Sequence, residues 1–288
     1  MFNCAGLNKK DLKRFEELNR RRKEFNELNE NFMDDYNSLG YAFQIFLLKK
    51  IKILKCGSDL AGFLWVNSLN KYNTTINAIS VIDSVNMYQG FNILISLIKG
   101  NSSLNYSCMK NDFNFGILSE SGFKKKDGTL ELSKHLVNYN NIIYDENISF
   151  HVVEKGPLEK IRCELQNEIF KDVNRVPLKM EDIYFDELQN YYLKPGSILM
   201  RYKNNYIGYG QVIIEFNNAT IVNFGILKKY RNRGFGKELL FHLLNIILIY
   251  NYNFAFIKVK SYNDGALNLY KSCGFKILSE SYNWVLNR

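Results

Sequence analysis

The sequence predicts a mixed α/β protein built from two related units, and three observations carry that expectation. Short runs rich in Ile, Val and Phe alternate with longer amphipathic runs along the chain. One such run, over 219–227, leads into the basic turn Tyr230-Arg231-Asn232-Arg233-Gly234-Phe235-Gly236 and then into an apolar stretch over 239–249, an order of strand, turn and helix. Segments of the first half also recur in the second.

Taken in order, Leu12, Phe15, Leu18, Phe25, Leu28, Phe32, Tyr36 and Leu39 recur at steps of three, four or seven, with charges between them. That spacing predicts one amphipathic helix, or two in succession, closed by Gly40. An apolar run follows over 42–48. Runs 51–55 and 61–66, on either side of Gly57-Ser58-Asp59, read as a hairpin. Next come a strand over 77–82, a short helix over 91–98, a strand over 104–109, a helix over 111–118 closed by Gly122, and a strand over 129–136. The polar stretch 138–147 reads as a linker, which divides the chain into domains 1–145 and 146–288. In the second domain 148–153 is a strand, 158–170 and 180–193 are helices, and 197–202 with 206–216 form a hairpin around Asn204-Asn205. Strands over 254–259 and through Trp284 complete it.

Composition narrows the function classes. With 46% hydrophobic and 23% charged residues, a chain of 288 residues is globular and buries one large core or two ordinary ones. The net charge of +9 invites nucleic acid or an anionic surface, yet Lys124-Lys125-Lys126 is the longest lysine run and no dense basic patch carries interleaved aromatics. Nucleic-acid binding is therefore not expected. The five cysteines form no C-x-x-C pair, which argues against a disulfide framework or a metal site and for a reducing compartment. The start has no apolar core of signal-peptide length, and the run 239–249 is interrupted by His242 and Asn245 and is too short to span a bilayer. The expectation is a cytoplasmic protein with no metal and no membrane insertion; its oligomeric state is left open.

The basic turn carries the chemistry. A helix entered this way leaves its first backbone N–H groups pointing into the turn, where an anion can satisfy them. Gly234 and Gly236 permit positive φ and a close approach, and Arg231, Arg233 and Lys237 add charge. A solvated turn that merely caps a buried helix would have the same composition. The pattern is neither G-x-x-x-x-G-K-[ST] nor G-x-G-x-x-G but R-x-x-G-x-G. Further on, 263–275 reads N-x-x-A-x-x-L-Y-x-x-x-G-F, from Asn263 through Tyr270 to Phe275.

Together and in this order the two stretches resemble the acyl-CoA site of the GCN5-related N-acetyltransferase (GNAT) family, over roughly residue 146 to the C-terminus. The resemblance implies a mixed, mostly antiparallel twisted sheet flanked by helices in each domain. It also implies acetyl-CoA as donor and an amine of a small molecule or peptide as acceptor, attacking the thioester directly. Arg231, Asn232, Arg233, Gly234, Phe235, Gly236 and Lys237 would surround the pyrophosphate. Backbone N–H groups of Ile226 and Leu227 would serve the pantetheine arm, Asn263 would support that arm or a nearby loop, and Tyr270 would face the departing sulfur. Family members often carry a glutamate about where this chain has Asn223, and asparagine accepts no proton. Glu215 is the nearest carboxylate in sequence, and otherwise another residue or solvent takes the proton. His242 reads as a core residue. A non-catalytic acyl-CoA sensor and a transferase of another acyl group are the alternatives.

The repeat bears on the first domain. Ala61-Gly62-Phe63-Leu64-Trp65-Val66 matches Ile207-Gly208-Tyr209-Gly210-Gln211-Val212, and Gln89-Gly90-Phe91 matches Arg233-Gly234-Phe235. Asn111-Asp112 matches Asn263-Asp264, and Ser121-Gly122-Phe123 matches Cys273-Gly274-Phe275 at the same offset. This predicts two copies of one domain, the first altered at its start, where a long helix replaces an opening strand. It carries Met87, Gln89, Asn92 and Leu118 where the second has Arg231, Arg233, Gly236 and Tyr270, so it is expected to be degenerate.

Overall fold

The structure, a computed structural model, describes residues 2–68, 72–82, 86–100, 103–138, 145–172 and 175–288; most of the stretch read as a linker lies outside them. The chain divides into two compact units, Met1–Thr129 with Ser279–Arg288, and Leu130–Leu278. The polar stretch does not coincide with this division. Composition marks where the chain is polar, and it carries no record of a C-terminal strand returning to the first unit.

The first unit begins with β1 (Phe2–Gly6), then α1 (Leu12–Arg20), α2 (Arg22–Phe25), α3 (Phe32–Ser38) and α4 (Tyr41–Leu48). It continues through β2 (Ile51–Cys56), β3 (Asp59–Ser68), β4 (Asn73–Val81), α5 (Met87–Ser96), β5 (Ser103–Met109), α6 (Asn114–Glu120) and β6 (Lys124–His135), where the chain passes into the second unit. Two expectations are corrected here. An opening strand exists, because β1 pairs antiparallel with β2 from Phe2↔Cys56 to Gly6↔Lys52; five residues are too few to display an alternation. Of the one helix or two expected over 12–39, the structure has helices in succession, broken between α2 and α3. The Asn26 side-chain amide donates to the Tyr106 hydroxyl and the Ser107 carbonyl, both at 2.8 Å, and that of Asn29 donates to the Ile79 carbonyl at 2.8 Å. These long-range bonds hold the intervening chain on β4 and β5, and they outweigh a helical spacing that is otherwise sound.

The second unit runs β7 (Ile148–Val152), α7 (Pro157–Ile169), α8 (Met180–Glu187), β8 (Tyr192–Tyr202), β9 (Asn205–Glu215), β10 (Asn218–Ile226), α9 (Phe235–Ile249), β11 (Phe254–Lys260) and α10 (Asp264–Ser272), and leaves through β12 (Lys276–Leu286). Its strands lie in the order β6-β11-β10-β9-β8-β7, and those of the first unit in the order β1-β2-β3-β4-β5-β12. Among the described pairings β4/β5 and β10/β11 are parallel and the others antiparallel. The helix expected over 180–193 stops at Glu187, because Tyr192 already pairs with Ile213 and Pro195 cannot donate within a helix.

Alternation along the strands gives each face of the second sheet its own helix. Ile198 and Met200 of β8 face Leu239, Leu240, Leu243 and Leu244 of α9, whereas Leu199 faces Leu165 and Ile169 of α7. His242 of α9 stacks on Phe150, with ring centroids 4.0 Å apart, and burial depresses its pKa to about 4. It is a packing residue. Its folded pKa lies below the unfolded value near 6.5, so its contribution to stability is present above that pH and is lost as pH falls towards 4. We expect a loss on the order of 2–3 kcal/mol over this window. Urea midpoints at pH 7 and pH 4.5 measure it, and His242→Leu should flatten the difference; an undiminished slope would place the acid sensitivity elsewhere.

Candidate active site

β10 and β11 pair in register only from Ala219↔Ala255 to Ile221↔Ile257, and beyond Ile221 no pairing is recorded between them. On its other side β10 follows β9 throughout, with one extra residue between Val222 and Gly225. Asn223 takes up that bulge in the left-handed region, φ 51°, which asparagine tolerates better than most residues. Past the bulge the Leu227 N–H donates to the Ile207 carbonyl at 2.8 Å, while Ile226 stands opposite Gly208. In an antiparallel ladder alternate residues turn their N–H groups outward. The Ile226 N–H therefore points to the side that β11 has left. Of the two amides expected to serve a ligand, that of Leu227 is consumed by the sheet.

The opening is a cavity of about 450 Å³ bounded by the ends of α7 and β10, the basic turn, the start of α9, and α10. Asn232 and Gly234, on either side of Arg233, adopt left-handed conformations, φ 62° and 89°, and lead into α9. No side chain caps that helix. The N–H groups of Phe235 and Gly236 are thus available for an anion, with the helix dipole behind them, while that of Lys237 donates to the Gly234 carbonyl at 2.9 Å. A Cβ on Gly236 would come within 3.2 Å of Leu269, so this position is bare where the cavity needs depth.

Of the residues singled out from sequence, Ile226, Arg231, Asn232, Gly234, Gly236, Lys237, Asn263 and Tyr270 line this cavity. The others lie elsewhere. Phe235 is buried in the α9 core, Leu227 is buried against α7, and the Arg233 guanidinium sits 5.6 Å from the Tyr202 ring centroid and 5.2 Å from that of Phe235. Glu215 is exposed at the end of β9 and does not border the cavity. Arg231 borders it but is engaged with protein: Nε donates to the Ile226 carbonyl at 2.8 Å and Nη2 to the Ile169 carbonyl at 3.2 Å. It clamps the end of β10 to the end of α7, where the sequence suggested a phosphate contact. Asn263 caps α10 by accepting from the Ala266 N–H at 3.2 Å.

Tyr270 is 4% exposed, on the α10 side of the cavity, with its ring centroid 6.0 Å from that of Phe224. Burial pushes its phenol well above the ordinary tyrosine range. It is a neutral hydrogen-bond donor at any physiological pH.

A buried polar group escaped the sequence reading altogether. Arg162 of α7 is 1% exposed and donates to Asp186, to Glu187 at 3.4 Å and to Gln211 at 3.3 Å. Gln211 donates to Asp186 at 3.0 Å and accepts from the Asn223 amide at 3.1 Å. Glu159, Arg162 and Gln166 recur at helical spacing on the buried side of α7. In a sequence such a stripe reads as the wet face; only its partners on α8 and β9 reveal it as interior.

Comparison with known proteins agrees with this fold. Residues 163–275, within the second unit, match the model of the acetyltransferase (GNAT) family. The fold of the chain is similar to that of a GCN5-related N-acetyltransferase from Sphaerobacter thermophilus, at 13% identity over 99% of this chain and 95% of that one, TM-score 0.58. It is similar also to a GNAT-family acetyltransferase from Colwellia psychrerythraea, at 12% identity over 100% of both chains, TM-score 0.53. At such identities the likeness is one of fold. No curated protein sequence matches the chain.

Proposed function

We propose that the protein transfers an acetyl group from acetyl-CoA to a primary amine of a small molecule or peptide, by direct attack within the second unit. The observation that carries this reading is the cavity in which an uncapped helix N-terminus and a buried tyrosine face each other across the gap between β10 and β11. The residues fit the donor. Amides at the start of α9, with Lys237, would hold the pyrophosphate, and the outward N–H of Ile226 would meet the pantetheine arm or the carbonyl oxygen as charge develops on it. The thioester supplies an activated acyl carbon. The amine lone pair forms the new C–N bond, the C–S bond breaks with its electrons on sulfur, and the ammonium proton passes to solvent. Holding two substrates in line supplies much of the rate in such a reaction.

Tyr270 donates a hydrogen bond to the sulfur. A reference phenol has pKa about 10 and a thiol about 8.5, so complete proton transfer is already uphill by about 2 kcal/mol. Burial of Tyr270 widens that gap.

Turnover of acetyl-CoA against an amine panel tests the reading. Among the described residues no carboxylate lines the cavity. Tight CoA binding without turnover would therefore point to a cofactor-sensing module.

The first unit is proposed to be a copy without a donor site. The N-terminus of its α5 is capped by Asn86, whose side chain accepts from the Gln89 N–H at 2.9 Å. A Cβ on Gly90 would lie 2.8 Å from Val81, so the first turn of α5 packs on its own core, and Leu118 is fully buried. Calorimetry is expected to give one CoA per chain, with Gly236→Val weakening binding about ten- to a hundredfold, or 1.4–2.8 kcal/mol. A stoichiometry of two would restore the first unit as a site, and unchanged affinity in the variant would reduce the turn to a helix cap.

A further inference from the structure

We propose that Asn223 positions the acceptor amine, presenting its side-chain carbonyl oxygen as an uncharged hydrogen-bond acceptor to the attacking nitrogen. The proposal rests on the acetyl-transfer reading and adds to it the group that meets the second substrate.

The argument is one of forced orientation. A guanidinium offers only donors, and an ionised carboxylate offers only acceptors. Gln211, fully buried, lies between the two: its Oε1 accepts from Arg162 at 3.3 Å and its Nε2 donates to Asp186 at 3.0 Å. Turned over, it would set N–H against guanidinium and oxygen against carboxylate. The Tyr209 hydroxyl, donating to the same Oε1 at 3.3 Å, reinforces the choice. With Gln211 pinned, Asn223 must place its Nδ2 on Gln211 Oε1, as observed at 3.1 Å. Its Oδ1 is then directed away from the network. Asn223 is exposed at the bulge, and the next two residues, Phe224 and Gly225, line the cavity. An ion pair between a buried arginine and a half-buried aspartate thus fixes the polarity of an exposed amide whose next neighbour in the chain lines the cavity.

A carbonyl oxygen in that position orients an amine through its N–H and leaves the lone pair for attack. It cannot take the proton. The titratable groups behind it are committed or remote: Asp186 accepts from Arg162, Gln211 and Tyr191, Glu187 is paired with Arg162, and Glu215 is exposed at the strand end. The amine must react as the fraction that is already neutral, and its own pKa then sets the pH dependence.

Asn223→Ala and Asn223→Gly form the test, with trifluoroethylamine, glycinamide and butylamine as probes, whose ammonium pKa values rise in that order. Both variants delete the amide, but glycine retains the left-handed backbone without strain. Both are expected to lower kcat/KM for every amine about three- to tenfold, the worth of one neutral hydrogen bond, while calorimetric affinity for acetyl-CoA stays within about twofold. In the wild type the pH midpoint of kcat/KM should move with the amine. Apart from turnover, the side-chain amide resonances of Asn223, assigned by their loss in the alanine variant, should shift when butylamine is added to the CoA complex. Wild-type kinetics in Asn223→Gly, a midpoint common to the three amines, or unmoved resonances would each overturn the proposal while leaving acetyl transfer intact. A wild type that binds no acetyl-CoA, or acetylates none of the amines, would overturn the transfer reading and the proposal with it.

Discussion

A chain ended at Leu278 is expected to lose the fold of the first unit. The ten residues removed include most of β12, which pairs with β5 from Ser281↔Met109 to Leu286↔Leu104 and forms an outer strand of that unit's sheet order. Trp284 is 1% exposed, with its ring centroid 5.0 Å from that of Phe115, and the Lys125 ammonium lies 4.5 Å from the Tyr282 ring centroid. Arg288 donates to the Ile95 carbonyl at 2.8 Å. Emptying the Trp284 site alone costs about 3–5 kcal/mol. The whole strand carries more than that, against a typical domain stability of about 5–15 kcal/mol. Hydrogen exchange resolved by segment should show residues of β2 to β5 exchanging freely in the shortened chain. Trp284→Ala, which keeps the ladder, should lower the stability of the same segments by about 3–5 kcal/mol. Full protection in the shortened chain would make the strand peripheral. Excising the second unit at 146 would be damaging for the converse reason, because Leu130 and Leu132 of β6 belong to its core.

Tyr270→Phe is expected to lower kcat by as much as 10²–10⁴-fold and to leave CoA affinity almost unchanged. The substitution keeps the buried ring against Phe224 and Phe275 and deletes only the hydroxyl, so packing is preserved. Because burial raises the phenol pKa, the hydroxyl acts as a hydrogen-bond donor over the whole working range. No ionisation of Tyr270 should therefore appear in the alkaline limb of the profile. Single-turnover measurements isolate the chemical step, and wild-type rates there would remove Tyr270 from the site.

Much of the cavity proposed as the donor site was legible because it is local. Gly234, Gly236 and Lys237 lie within one turn, and Asn263 and Tyr270 within two turns of one helix, so spacing in sequence becomes spacing in the cavity. Backbone groups and helix ends make such a site, and a short motif encodes them. Arg231 shows the limit of this. Its charge suggested phosphate, but the carbonyls it binds belong to β10 and to α7, and the latter is far away in sequence.

The amino-acid sequence by itself determined the α/β alternation, the hairpin segments of each unit, and the basic glycine-bearing turn at the head of α9. These follow from side-chain period and from glycine and proline chemistry, which act over a few residues. Tertiary structure alone decided the rest: where the long N-terminal helix breaks, which strand the C-terminus completes, and which way the amide of Asn223 faces. Each of those depends on partners far apart in the chain. The two asparagines that stop the helix are answered by β4 and β5, and the orientation of Asn223 is set by an arginine on α7 and a carboxylate on α8. Polar groups buried by folding must be satisfied by whatever the fold brings beside them, and that list of neighbours exists only once the strands are in place.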